Sequence, residues 1–262
     1  MRGIKGVVRD LLPSGVQVPL KYFYGRARRE LEPEMALLPL LVSRGDRTID
    51  VGGNRGTYAY RLDQLGARVE IFEPNPVCLR VLQPWATARP SVKVHEVALS
   101  ATNGTAKLAI PVDAHGVEHD ASASIEHGVG AGGRNEVVPI RTLDSFGFRD
   151  AALIKIDVEG HELSVIEGGR ETIKSSLPAL LIEIEQRHLS RPIDDVFGVV
   201  LSLGYQGFYL RHRKLLPIAD FDLARDQVAE NFENKTKGYF NNFIFLANKK
   251  LEAGVYRKIF SF

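Results

Sequence analysis

The sequence predicts an α/β protein built on one mostly parallel, seven-stranded sheet with helices on both faces. Three observations lead there. Residues 48–51 read as an apolar, β-branched strand, with Ile49 and Val51 around Asp50, that runs straight into a loop holding Gly52, Gly53 and Gly56. Such a loop turns tightly and lets backbone approach a ligand. A second strand, residues 68–73, follows a short helix pattern and is closed by Pro74-Asn75-Pro76. Strand and helix patterns then keep alternating, and strands end in carboxylates at Asp50, Glu73, Asp157 and Glu183 or Glu185. In an open α/β sheet those ends share one rim, where ligands bind.

The elements follow in order. Residues 1–33 form a basic N-terminal segment, with Arg2, Lys5, Arg9, Lys21, Arg26, Arg28 and Arg29 against Asp10 alone over its first 29 positions. Ile4, Val7, Val8, Leu11 and Leu12 recur beside those charges at near-helical spacing, which suits packing on the chain's own domain or contact with an anionic membrane surface. The main domain is expected over residues 34–262. A helix over 34–42 meets Pro39, which distorts it or marks an early turn. A helix over 57–65 is capped by Gly66. Asn75 and Pro76 supply an N-cap and a first-turn proline for the next helix. The third strand covers 92–97, and an added strand over 105–110 is joined to it by the turn at Asn103-Gly104. Residues 113–134 are rich in Gly, Ala, Ser and His without a sustained period, and are expected to cover the substrate. Their His115, His119 and His127 lack metal-ligand spacing. A short strand over 137–140 precedes a turn at Thr142-Leu143-Asp144. A central strand over 152–157 is interrupted by Lys155, read as a paired structural charge. A helix over 161–175, a fifth strand over 178–185, a helix over 194–203 capped by Gly204, and strands over 205–210 and 242–247 complete the chain.

Composition narrows the function. The chain has 262 residues, 44% hydrophobic and 25% charged, which is enough for one well-filled core. A net charge of +2 without like-charge runs argues against a nucleic-acid binder. A lone cysteine, Cys78, excludes an internal disulfide framework and a multi-cysteine zinc site, and suits the cytoplasm. No apolar run is long enough to span a bilayer, and no signal-peptide core is visible. The expected location is cytoplasmic, at the inner membrane face if the basic segment binds lipid.

The glycine loop separates two cofactor classes. A dinucleotide site uses G-x-G-x-x-G and faces a pyrophosphate. Here the order is Asp50-x-Gly52-x-x-x-Gly56. A carboxylate repels a pyrophosphate and attracts an ammonium, which favours S-adenosylmethionine over a nicotinamide dinucleotide. Asp50, Gly52, Asn54 and Gly56 are the candidate loop residues. Glu73 is expected at the ribose hydroxyls, Ser100 near the adenine, and Asp157 at the next strand tip.

Methyl transfer to oxygen needs a lone pair in line with the methyl group and a means of removing the hydroxyl proton. His161 and His188 are the candidate bases, since a free imidazole is mostly neutral near pH 7. Asp157 or Glu159 is expected to orient His161, the first choice. Alternatively, Asp157 with Glu183 or Glu185 would hold a magnesium ion. The segment Glu159-Gly160-His161-Glu162 also reads as a plain polar helix start, and His188 as a surface loop residue.

A series of blocks carries a resemblance. Ile49-Asp-Val-Gly-Gly-Asn-Arg-Gly56, Glu73-Pro-Asn-Pro76, Val97-Ala-Leu-Ser100, Thr142-Leu-Asp144 and Ile154-Lys-Ile-Asp-Val-Glu-Gly-His-Glu162 resemble the FkbM-type methyltransferases in order and spacing, over roughly residues 34–247. The resemblance implies a Rossmann-like class I enzyme that uses S-adenosylmethionine on an oxygen of a sugar, glycolipid, polysaccharide or polyketide-like product. A glycan or glycolipid acceptor is the first expectation. A non-catalytic S-adenosylmethionine-binding module of a biosynthetic assembly is the alternative. Gly53 departs from the alanine more usual there. Residues 1–33 and 113–134 fall outside the pattern and are where acceptor choice is expected to be encoded.

Overall fold

The computed structural model describes residues 13–112, 123–125, 133–233 and 238–261. The parallel strands are β1 (Arg47–Val51), β2 (Arg68–Phe72) and β3 (Val92–His95). A small sheet follows in the chain, made of β4 (Ala98–Leu99), β5 (Gly104–Ile110) and β6 (Arg134–Arg141). The large sheet resumes with β7 (Ala151–Ile156), β8 (Ala179–Glu183), β9 (Tyr205–Arg211), β10 (Lys214–Pro217) and β11 (Asn242–Ala247). Its order is β10-β9-β11-β8-β7-β1-β2-β3, with β11 antiparallel to both neighbours. Among the described residues the sheet therefore has eight strands where the pattern predicts seven. The extra one, β10, is joined to β9 by a two-residue turn at His212-Arg213 that has neither the Asn nor the Gly such turns favour.

The strand expected over 105–110 is not a hairpin partner of the third strand. It pairs antiparallel with β6, from Gly104↔Ile140 to Ile110↔Arg134, because Leu108, Ile110 and Val138 bury one another in a separate small core. The helix expected over 34–42 is two short pieces, a 3-10 turn at Pro33–Ala36 and a helix at Leu38–Leu41 with Pro39 in its first turn. The one expected over 161–175 breaks at Gly169 into helices Glu162–Gly168 and Arg170–Ser176. Gly168 lets the first of these press on the exit of β4, since a Cβ there would lie 2.0 Å from the Ser100 carbonyl oxygen. Asp144 starts the second, its carboxylate accepting from the Glu171 and Thr172 N–H groups at 3.1 and 2.8 Å.

Helix α1 (Ser14–Arg28) lies across the helices Thr57–Gln64 and Pro76–Thr87. Val18 and Tyr22 are buried there, with Tyr22 5.0 Å from Tyr60. The described part of the basic segment thus packs on its own domain. The apolar and basic residues at 1–12, and His115, His119 and His127, lie outside the described residues. No described helix is long and apolar enough to cross a membrane.

The register places chemistry on one face. Asp50 is the neighbour of Lys155 across β1 and β7, so both side chains leave the same side of the sheet, while Ile49, Ile154 and Ile156 fill the opposite core. Glu34 is also buried, and burial pushes its carboxyl up to about 8. The folded state then holds a proton that the unfolded chain releases near 4.5, so stability falls as pH rises from 4.5 to about 8. Each unit corresponds to about 1.4 kcal/mol. Glu34→Gln is expected to raise Tm at pH 8 by roughly 10 °C and by much less at pH 5, as measured by thermal unfolding. An equal gain at both values would mean that the charge is not the cause.

Candidate active site

The loop after β1 is held from two sides. The Gly52 and Gly53 N–H groups donate to the Phe72 carbonyl at 2.9 and 3.3 Å. Glu73, buried at the tip of β2, accepts from the Asn54 N–H at 2.6 Å and the Asn75 N–H at 2.8 Å. Burial pushes Glu73 up to about 7, against those two N–H donors. Gly52, Asn54 and Gly56 all hold positive φ, at 75°, 47° and 76°. Gly53 has a local reason: a Cβ there would lie 2.4 Å from Ile71 Cγ2.

Two cavities meet at this loop. A small one of about 60 Å³ runs over Gly52, Asn54, Phe72, Glu73, Leu99 and His161. A larger one of about 520 Å³ is walled by Asp50, Tyr58, Lys155 and Asp157, with Lys21 and Tyr24 of α1 on its far side. Both are lined by Gly52, Asn54, Asp157 and Glu159, so they form one trough across the end of β1. Asp50 is 1% exposed and its Oδ2 has no hydrogen-bond partner. Burial pushes it up to about 6, with Lys155 pulling the other way. An ammonium in the large cavity would satisfy that oxygen. Lys155 sits 2.6 Å from Asp157 Oδ2 and 4.9 Å above the Tyr58 ring. Burial opposes its charge, yet Asp157, Glu32, Glu183 and Asp50 together hold its pKa above the ordinary lysine value.

The candidate bases part company. His161 is buried, its Nε2 3.0 Å from Ser100 Oγ, on the small cavity beside Glu73. The expected orientation by Asp157 or Glu159 gives way to another pairing, because Asp157 turns to Lys155 and Glu159 meets His188 Nε2 at 3.2 Å. Glu159 stands at φ 52°, and burial, then Asp157 and Glu185, push it up to about 8.

The magnesium expectation does not fit. Among the described residues no three His, Cys, Asp or Glu side chains converge as a metal site. Glu183 accepts from Asn241 at 2.7 Å, and Glu185 is engaged by Tyr239, Asn241 and Arg187. One Glu183 oxygen and both Glu185 oxygens already have protein donors. Tyr58, Glu32, Tyr239 and Asn241 were not foreseen, since each arrives from a remote loop or helix. Lys155, a charge inside an apolar strand, was the one legible signal.

An eight-stranded, mostly parallel sheet, a glycine loop on its carboxyl rim and a buried acid at the second strand tip define a class I methyltransferase that uses S-adenosylmethionine. A family model, the methyltransferase FkbM domain, matches residues 50–208. The chain belongs to that family. A search of curated proteins gives no match. Among solved structures it is similar to the methyltransferase FkbM of Methylobacillus flagellatus KT, with 19% identity, a TM-score of 0.53, and 92% of this chain covered. The match spans 57% of that longer protein. A TehB-like SAM-dependent methyltransferase of Corynebacterium glutamicum ATCC 13032 Kitasato is similar at 12% identity and TM-score 0.45, covering 90% of this chain and all of that one. Aeropyrum pernix fibrillarin with bound S-adenosyl-L-methionine is similar at 13% identity and TM-score 0.43, covering 81% and 73%.

Proposed function

We propose that this enzyme methylates a hydroxyl of a sugar, glycolipid or polysaccharide, within one catalytic domain over residues 34–262. Asp50 receives the cofactor's ammonium, the loop at Gly52, Asn54 and Gly56 passes along its tail, and Glu73 receives the ribose. Ser100 and His161 border the adenosine end. The observation that carries the chemistry is the Glu159–His188 pair at 3.2 Å, because Glu159 lines the trough and His188 lies behind it.

S-adenosylmethionine held by Asp50, Gly52, Asn54, Gly56 and Glu73 would supply the methyl group to the acceptor hydroxyl and take the electron pair of the broken carbon–sulfur bond as a neutral thioether. Glu159, on the trough wall, takes the hydroxyl proton while the new oxygen–carbon bond forms, and His188 behind it holds that carboxylate in place. Asp157, Glu183 and Tyr239 supply polar groups along the same rim, a surface suited to a hydroxyl-rich acceptor. A lipid-linked acceptor is favoured by α1, which buries Val18 and Tyr22 yet exposes Val16, Leu20, Phe23 and Tyr24. That face suits peripheral contact with the inner membrane surface.

The test uses methyl-labelled S-adenosylmethionine with free glycans, lipid-linked glycans in anionic vesicles and polyketide-like alcohols. Label is expected in a saccharide methyl ether. Glu159→Gln is expected to keep S-adenosylhomocysteine affinity and lose roughly 10²–10⁴ in kcat. Unchanged turnover would remove Glu159 from the reaction. Tight cofactor binding with no transfer to any alcohol would indicate a binding module instead.

A further inference from the structure

Residues 123–125 belong to the stretch expected to cover the substrate, and they pair with β5 of the small sheet. Ser124 makes an antiparallel bridge to Ala109, its N–H donating at 3.0 Å and its carbonyl accepting at 2.8 Å. Alternation puts Ala123 and Ile125 on the other face, where they line the small cavity with Leu108. The Ser124 side chain is 3% exposed and turns to a different task. Its hydroxyl donates to the Glu159 carbonyl at 2.9 Å. Because the sheet holds its backbone, that hydroxyl can be removed without moving Ala123 or Ile125.

The Glu159–Gly160 peptide is gripped at both poles. Its carbonyl takes the Ser124 hydroxyl, and its N–H donates to Glu162 Oε1 at 2.9 Å. Glu162 is buried, so water does not compete for that N–H. The grip answers a local need. Glu159 stands at φ 52° and Gly160 at 102°. Left-handed backbone is costly for a residue with a Cβ, and it persists where the surroundings over-determine it. Gly160 adds no restraint of its own, since without a Cβ it accepts either orientation of the peptide before it. Two hydrogen bonds on one peptide supply the restraint instead. Released from them, Glu159 returns to negative φ and its carboxylate leaves His188, which it now meets at 3.2 Å.

We infer that Ser124 is a positioning residue for methyl transfer: through the 159–160 peptide, which Glu162 grips from the other side, it holds the Glu159 carboxylate between the trough and His188. The inference rests on Glu159 as the proton acceptor proposed above, and adds what keeps that acceptor in place.

Ser124→Ala removes the hydroxyl and leaves the bridge to Ala109 intact. Cell-free protein made with carbonyl-¹³C glutamate and ¹⁵N glycine gives selective NMR signals from Gly160 and Gly168, the two glycines that follow a glutamate. A ¹⁵N-histidine sample, assigned with His188→Gln, reads the His188 imidazole. In Ser124→Ala the Gly160 and His188 signals are expected to move while Gly168 stays. S-adenosylhomocysteine affinity should be unchanged. On the alcohol that takes label in the assay above, kcat should fall roughly tenfold with the acceptor KM unaltered. Ser124→Thr returns the hydroxyl and is expected to restore both signals and rate. Unmoved Gly160 or His188 signals, a parallel loss of cofactor affinity, or the same defect in Ser124→Thr would overturn the role of Ser124 and leave Glu159 to be judged by Glu159→Gln. Moved signals with unchanged turnover would remove Glu159 as the proton acceptor, and the part of Ser124 in transfer with it.

Discussion

Gly52→Ala is expected to abolish measurable cofactor binding and to lower Tm by roughly 5–10 °C. Two independent costs meet at this residue. Its φ of 75° lies in the left-handed region, which costs a residue with a Cβ about 1 kcal/mol. The added Cβ would also lie 1.8 Å from the Asp157 carbonyl oxygen and 2.9 Å from its carbon. Backbone cannot swing aside as a flexible side chain does. The Asp157 N–H is tied to the Val51 carbonyl at 3.0 Å, and Gly52 N–H to Phe72, so relief must move the exits of both β1 and β7. Those exits carry Asp50, Asp157 and Glu159. Calorimetric titration with S-adenosylhomocysteine and thermal unfolding read the two effects. Gly204→Ala is the control, because Gly204 has φ 88° with nothing within 4 Å of a Cβ. It should lose about 1 kcal/mol of stability and keep its affinity. Wild-type affinity in Gly52→Ala would mean that this loop does not cradle the cofactor.

Lys155→Met is expected to be the most destabilising change that leaves side-chain volume nearly intact, at about 3–5 kcal/mol. Lys155 is 1% exposed and faces Asp157, Asp50, Glu183 and Glu32. Without it these acids stay buried with their compensating charge gone. Asp50, already up to about 6, and Glu183, well above the usual carboxylate range, would both rise further, since each has burial as its main cause and Lys155 as a restraint. An acid raised in the folded state binds its proton there and releases it on unfolding, so stability falls as pH increases through that window. The Tm gap between wild type and Lys155→Met should therefore widen from pH 5 to pH 8. A gap that stays constant would assign Lys155 a packing role. Cofactor affinity should fall as well, because Asp50 and Asp157 are set by this cation.

What could be seen in the residue order was what depends on neighbours in the chain. The strand into Gly52, Gly53 and Gly56, the acid at Glu73 and the helix start at Asn75-Pro76 are local patterns, since backbone freedom, strand alternation and capping act over a few residues. Ordered blocks of this kind sufficed for the α/β class, the cofactor and the family. Missed or misread features had long-range causes. The 161–175 segment looks like one helix, but Gly168 must press on Ser100. Strand 105–110 looks like an added strand turned back from the third at Asn103-Gly104, but its apolar residues match those of β6. β10 was hidden by a turn without Asn or Gly.

The chemistry of the rim divides along the same line. That carboxylates gather there follows from strands ending in acids. Which imidazole meets which acid depends on distances between loops, and those are set when the sheet closes. Glu159 and His161 are two residues apart, yet Glu159 pairs with His188, because its φ of 52° turns it toward the loop after β8 while His161 is buried against Ser100. Lys155 read as a structural charge and is one, but only the register Asp50↔Lys155 and the arrival of Tyr58 and Glu32 put it in the wall of the large cavity. Local order determined the class of cofactor because a glycine loop and its acid lie within one short segment. Tertiary packing decided the partners of every ionisable group, because charge interactions depend on separation and burial, and neither exists until remote segments meet.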